Sequence, residues 1–270
     1  MYSIADFVIT LFVRVDDAIK NSGQTIEKDR RAKLWPSELL TLGMLHAIKG
    51  KNQSAFYRWA FANLRIWFPN LPERTRLFRL LAKYQQWADQ FLADSEPVGY
   101  ADSLGIELIH PRREGRSSKQ IGKKGKSNHR WIVGIKYCPF LTARGRIRDW
   151  DAEGANTHDG DFQRILNCYQ DDCKDLFVDS GFHRSDKRGG DGKHLRICKR
   201  GENNIRMMIE TMFSVWVGVF GMKKITNRTW LSVEARLNFA SAAYNLLMDW
   251  TEQLSIDAKK HIGIAEIVCL

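Results

Sequence analysis

Apolar positions recur on a helical period through the first third of the chain. The pattern predicts helices over residues 3–19, 36–48, 53–68 and 73–92. Pro36 falls at a first-turn position of the second, and Pro69-Asn-Leu-Pro72 breaks the chain between the third and fourth. After Ser95-Glu-Pro97 the texture changes. Short apolar runs predict strands at 98–101, 131–137, 147–150, 176–178 and 195–198, with a helix between 159 and 169. Two long helical patterns follow at 205–220 and 232–253. In the first of these, Ile209, Met212, Phe213, Trp216 and Phe220 make one apolar stripe. Three strands, a helix, a further strand and then helices predict an α/β domain with a mixed sheet, behind an all-helical N-terminal domain. The expected division is 1–94 helical, 95–254 α/β, and 255–270 a peripheral tail without pattern.

Three acids interrupt or end these apolar stretches: Asp102 in Val98-Gly-Tyr-Ala-Asp-Ser103, Asp179 in Leu176-Phe-Val-Asp-Ser-Gly181, and Glu210 beside the stripe of the long helix. A carboxylate close to a core-facing stripe is costly unless it has a partner or a metal. Strand, strand and helix, each with one carboxylate, make a plausible cage for divalent cations, and magnesium prefers such oxygen donors. Each acid also has a local reading. Asp102 and Asp179 suit Asx turns with the serines that follow, and Glu210 suits an i, i+4 pair with Arg206.

Composition adds an anionic partner. The 270 residues carry a formal net charge of +11, and 44% of them are hydrophobic, enough for a real core. Basic residues crowd the segment 112–130 (Arg112, Arg113, Arg116, Lys119, Lys123, Lys124, Lys126, Arg130) against the single acid Glu114. The segment reads either as a solvated loop or as a phosphate-contacting one. The N-terminal helices, also basic, read equally as a DNA-binding domain or a plain bundle. Five cysteines, an odd number, suggest reduced thiols in a cytoplasmic protein. Cys168 and Cys173 with His183 and His194 lack zinc-site spacing. No apolar stretch is long enough for a membrane span, and no signal peptide is evident.

The motifs Tyr100-Ala-Asp-Ser103, Gly134-Ile-Lys136, Gly145-Arg-Ile, Ala155-Asn-Thr-His-Asp159, Phe177-Val-Asp-Ser-Gly-Phe182, Arg206-Met-Met-Ile-Glu-Thr-Met-Phe213 and Ala243-Tyr-Asn-Leu246 follow in one order. Over roughly 98–248 this order resembles DDE transposases of bacterial insertion sequences, in the compact branch with a short gap between the second and third acids. The helical stretch from Glu38 to Arg79, with Phe68-Pro-Asn-Leu-Pro72, is similar to the N-terminal part of one such group.

The resemblance implies a ribonuclease-H-like catalytic fold and two Mg²⁺ or Mn²⁺ ions held by Asp102, Asp179 and Glu210. It implies cleavage at element ends and transfer of the freed 3′-hydroxyl to target DNA. Partners would be the terminal inverted repeats, target DNA and a second copy in the synaptic complex, in the bacterial cytoplasm near the nucleoid. Arg206 corresponds to the family's arginine before the glutamate. Larger relatives carry a tyrosine and a lysine where this chain has Asn203 and Val217. DNA phosphates would meet Lys119, Lys123, Lys124, Lys126, Arg130 and Lys136, then Arg184, Lys187, Arg188, Lys199 and Arg200.

Asp159 reads as a helix N-cap or, with His158, as support behind the metals, and His183 as a phosphate contact. Trp131 or Trp150 are candidates for stacking on an unpaired base. Two other readings stay open: a DNA-binding descendant that no longer cuts, and a metal-dependent nuclease on the same fold.

Overall fold

The computed structural model describes residues 2–23, 26, 28–50, 52–127, 130–167, 173–182, 194–198 and 203–268. The chain divides into two compact units. One contains Met1–Phe91, Gly218–Gly221 and Thr229–Leu270; the other contains Leu92–Val217 and Met222–Arg228.

The first unit is helical: α1 (Ile4–Asn21), α2 (Pro36–Lys49), α3 (Gln53–Asn63) and α4 (Arg74–Lys83), then a 3₁₀ stretch over Gln85–Phe91. Local chemistry sets the starts. Ser3 Oγ accepts the Asp6 N–H at 3.1 Å while Asp6 accepts back from Ser3, a reciprocal cap. Asn52 caps α3 through Ala55. The later helices α7 (Trp230–Ala258) and α8 (Ile264–Ile267) belong to this unit as well.

The sequence reading had grouped 232–253 with the sheet. Instead α2 and α7 are buried along most of their length and pack on each other. The approach is close at Gly43, where a Cβ would meet the Phe239 ring at 2.5 Å. Polar groups on α7 close the 3₁₀ stretch: Asn238 donates to Gln85 O at 2.9 Å and Asn245 to Phe91 O at 2.8 Å. Asn245 of the Ala243-Tyr-Asn-Leu motif therefore has a structural task. The expected unpatterned tail contains α8, with Ile264 and Ile267 buried.

The second unit is mixed α/β. Its strands are β1 (Val98–Ala101), β2 (Leu104–Ile109), β3 (Lys123–Ser127), β4 (Arg130–Thr142), β5 (Ile147–Gly154), β6 (Asp175–Val178) and β7 (Leu195–Ile197), and its helices are α5 (Gln163–Asn167) and α6 (Asn203–Gly218). Long β4 is the spine. One edge pairs antiparallel with β2 and β1, the other with β3 and β5. Beyond β1 the sheet continues with β6 and β7, both parallel.

Alternation along β4 sends Cys138 and Phe140 to the face covered by Phe162, Ile165 and Leu166. It sends Tyr137 to the other face, where it stacks on Trp216 of α6 at 4.4 Å. Gly134 cannot be larger, because a Cβ there would lie 1.9 Å from Ile106 O. Among the described residues no helix is long and apolar enough to cross a membrane.

Candidate active site

Two of the three expected acids come together. Ala101 of β1 pairs with Val178 of β6 in parallel register, and Asp102 and Asp179 are the next residue of each strand. Neighbouring strands run about 5 Å apart, so the two aspartates stand side by side where β6 ends. β1 and β2 share one register on β4, with Ala101 opposite Phe140 and Leu104 opposite Tyr137. Asp102 therefore falls opposite Pro139, which has no N–H to give the ladder. The interruption of the long strand at Asp102 follows from that missing donor.

Both aspartates are half-buried. By alternation they share the face of Tyr100, Phe177 and Tyr137, the face on which α6 packs. Each is held by the serine that follows. Ser103 N–H donates to Asp102 Oδ1 at 2.7 Å, and Ser180 N–H and Oγ–H donate to Asp179 Oδ1 at 2.5 and 3.1 Å. The local turn reading and the site reading are thus compatible: the serine amide fixes the rotamer of the acid.

Asp159 is not the helix cap that the sequence suggested. His158 takes that position, its Nδ1 accepting the Gly160 N–H at 3.2 Å. The Asp159 carboxylate is released for another task. Its Oδ1 accepts from Ser103 Oγ at 2.7 Å and from Lys136 Nζ at 2.9 Å, and a Cβ on Gly181 would lie 3.0 Å from its Oδ2. One carboxylate thus links the residue after Asp102, the spine strand, and the turn after Asp179.

Cys138 senses this charge from the core. Burial first, then the negative charge of Asp102, Asp159 and Asp151, push its thiol well above the ordinary value, against the opposing pull of Lys136.

Glu210 departs from expectation. Ile209, Met212 and Trp216 are buried as the stripe predicts, but Glu210, about 100° round the helix from Ile209, is exposed. It bears no burial cost and needs no partner on that ground. Among the described residues no three His, Cys, Asp or Glu side chains are arranged to hold one metal ion. Arg206 stands one turn before Glu210 on α6, its side chain outside the described set. His183, Arg184, Lys187, Arg188, Lys199 and Arg200 lie outside the described residues, as does Cys168.

The basic segment is partly a ribbon rather than a loop. β3 pairs with the start of β4 from Ser127–Arg130 to Lys123–Gly134. Lys119, Lys123, Lys124 and Lys126 are exposed. Lys124 Nζ lies 3.7 Å from Glu114 and 5.7 Å from the ring of Trp131, itself 56% exposed. Arg130 and Lys136, also expected on phosphates, are paired with Glu107 and Asp159.

Glu107 was missed by sequence reasoning. It is buried in β2, paired with Arg130 and with Lys224 Nζ at 2.6 Å. Its backbone binds the segment after α6, through Lys223 O at 3.1 Å and the Ile225 N–H at 3.0 Å. The signal was an acid inside the apolar run Leu104-Gly-Ile-Glu-Leu-Ile109.

The cysteine and histidine pair considered for zinc has other duties. Cys173 is buried with Sγ 3.3 Å from Asp175 O, and His194 Nε2 lies 2.9 Å from Leu166 O. Trp150 leans on Tyr137 at 5.8 Å. Comparison with family models, with curated proteins and with solved structures found no match.

Proposed function

We propose that the chain is a DDE-class DNA transposase, which cuts phosphodiesters at the ends of its element and transfers the freed 3′-hydroxyl to target DNA. The observation that carries the reading is the juxtaposition of Asp102 and Asp179 at the carboxyl ends of adjacent parallel strands, the rim where α/β sheets take their ligands. The assignment of the sheet as ribonuclease-H-like is supported by its antiparallel β1–β4–β5 half, its parallel β6–β7 half, and packing of helical segments on both faces.

The donor set suits Mg²⁺ or Mn²⁺, which favour carboxylate oxygens over imidazoles. Asp102 and Asp179 would hold the ions, with Glu210 on α6 as third donor. Two such ions, when bound, stabilise charge on the attacking and leaving oxygens of an in-line displacement. The protein's own groups do the rest. The amides of Ser103 and Ser180 orient the two carboxylates. Asp159 and Lys136 hold the strand junction in place. The β3 lysines, on an exposed ribbon, bind backbone phosphates and make affinity fall with salt. A homodimer would bring two element ends together in the bacterial cytoplasm.

Magnesium-dependent cleavage of DNA carrying the element's ends, compared with Asp179→Ala, tests the reading. End-specific cuts lost in the variant support it. Equal binding by both proteins without cutting by either supports a DNA-binding descendant instead.

A further inference from the structure

We propose that the β3–β4 ribbon is a distance-setting contact: Lys124 and Lys126 grip the backbone of duplex DNA roughly six to eight base pairs from the phosphodiester at Asp102 and Asp179. This rests on reading those aspartates as the cutting site, and it adds the path of the DNA away from them.

Strand alternation joins the two places. Lys126 lies opposite Trp131 and Lys124 opposite Val133, so both lysines share the face of Tyr137 and Pro139 on β4. Asp102 and Asp179 stand on that face. Between the two places it is closed: Val133, Ile135 and Tyr137 are fully buried, and Trp216 of α6 stacks on Tyr137. The face opens again at Trp131, which is 56% exposed.

The ribbon there is narrow and fixed. β2 pairs with β4 no further out than Val133, so residues 125–127 and 130–132 continue as two strands only. Gly125 seats the ribbon against the chain after β5, because a Cβ on it would lie 1.8 Å from Ala155 O. Lys124 Nζ is steadied 5.7 Å from the centre of the Trp131 ring. Its exposed pairing with Glu114 at 3.7 Å is weak. Among the described residues no acid pairs with Lys126.

Geometry selects the ligand. Val133 and Trp131 precede Pro139, the residue opposite Asp102, by six and eight positions, about 20 and 26 Å along a strand. A duplex rises about 3.4 Å per base pair. It is stiff over this length, whereas a single strand holds no fixed spacing. Lysine is a point charge, and the neighbouring Arg130 guanidinium is engaged by Glu107. The contact is therefore to phosphate and independent of sequence.

The test is a titration of the full chain with dye-labelled duplexes of the pre-cut element end, shortened from the inner side from about 14 to about 4 base pairs. Native affinity should rise in a step at roughly six to eight base pairs. The double variant Lys124→Ala/Lys126→Ala should lose the step and bind the shortest duplexes like the native chain. On the longest duplex its slope of log Kd against log salt should be shallower by about two. Lys124→Arg/Lys126→Arg should restore the step. Neutral methylphosphonate linkages at those positions of the DNA should abolish it with the protein unchanged. No step in the native chain, a step that survives the alanine variant or the neutral linkages, or one that depends on the sequence of the inner base pairs overturns the proposal. An equal step with a single strand overturns the choice of duplex. Cleavage that does not depend on Asp179 sinks the transposase reading, whatever the length series shows.

Discussion

Asp159 acts on the site through Ser103 and Lys136, so its removal should disturb the aspartates without unfolding the sheet. Asp159→Asn keeps the shape and loses the charge that holds Lys136 at 2.9 Å. On the proposed transposase reading, cleavage should fall about 10–100-fold, the usual effect of losing a partner behind a metal ligand, while far-ultraviolet circular dichroism stays unchanged. Wild-type rates in the variant would reduce Asp159 to a fold contact.

Glu107 predicts the opposite pattern. Glu107→Gln leaves Arg130 and Lys224 without their acid. Both cations are more than half exposed, which reduces the loss to about 1–3 kcal/mol. Urea unfolding should shift to lower midpoint with little change in slope.

The raised thiol of Cys138 adds a pH statement. The thiol is neutral in the folded chain, so it costs nothing below the unfolded value of 9.0. As pH rises past that value the unfolded thiol ionises and the folded one does not, and stability is lost. Alkylation of native protein at pH 8 should spare Cys138, detectable by mass spectrometry of peptides.

At the scale of elements, legibility in the sequence tracked how local the forces are that set each element. α1, with one buried stripe, was read to within two residues at its end, and β1 was read as it stands. The junction at Asp102 was legible because an acid closes an apolar run, though its cause, Pro139 across the ladder, depends on pairing that no local pattern reveals. β2 was missed because the break at Asp102–Ser103 looks like an end, and β3 because Lys123–Ser127 has no apolar residue; β4 supplies its hydrogen bonds. The predicted fourth helix became α4 plus a 3₁₀ stretch whose backbone is tied to Asn238 and Asn245, far along the chain.

Gly43 makes a prediction at this scale. Alanine raises helix propensity by up to about 1 kcal/mol, but here its methyl would meet Phe239 at 2.5 Å. Overpacking should win, with a net loss of about 1–3 kcal/mol. A Phe239→Leu change in the same chain should recover part of that loss, measured as the non-additive term of a double-mutant cycle. Additive losses would show that α2 and α7 do not meet there.

Over the whole molecule, the two units interleave along the chain. The helical unit draws on residues 1–91, 218–221 and 229–270, and α7 buries the face of α2 that carries Gly43. A fragment ending at residue 94 should therefore be unfolded or aggregated. The same fragment joined by a linker to residues 229–268 should regain cooperative melting. A folded 1–94 fragment would refute the assignment of α7 to this unit.

The interleaving also sets a timetable for synthesis. A ribosome adds roughly 5–20 residues per second, so the apolar flank of α2 waits on the order of 10–40 s for α7 to be made. During that wait it is a target for chaperones. A stop codon anywhere before α7 spoils the helical unit together with whatever lies beyond the stop. Chains truncated before α7 should therefore misfold rather than persist as folded helical fragments.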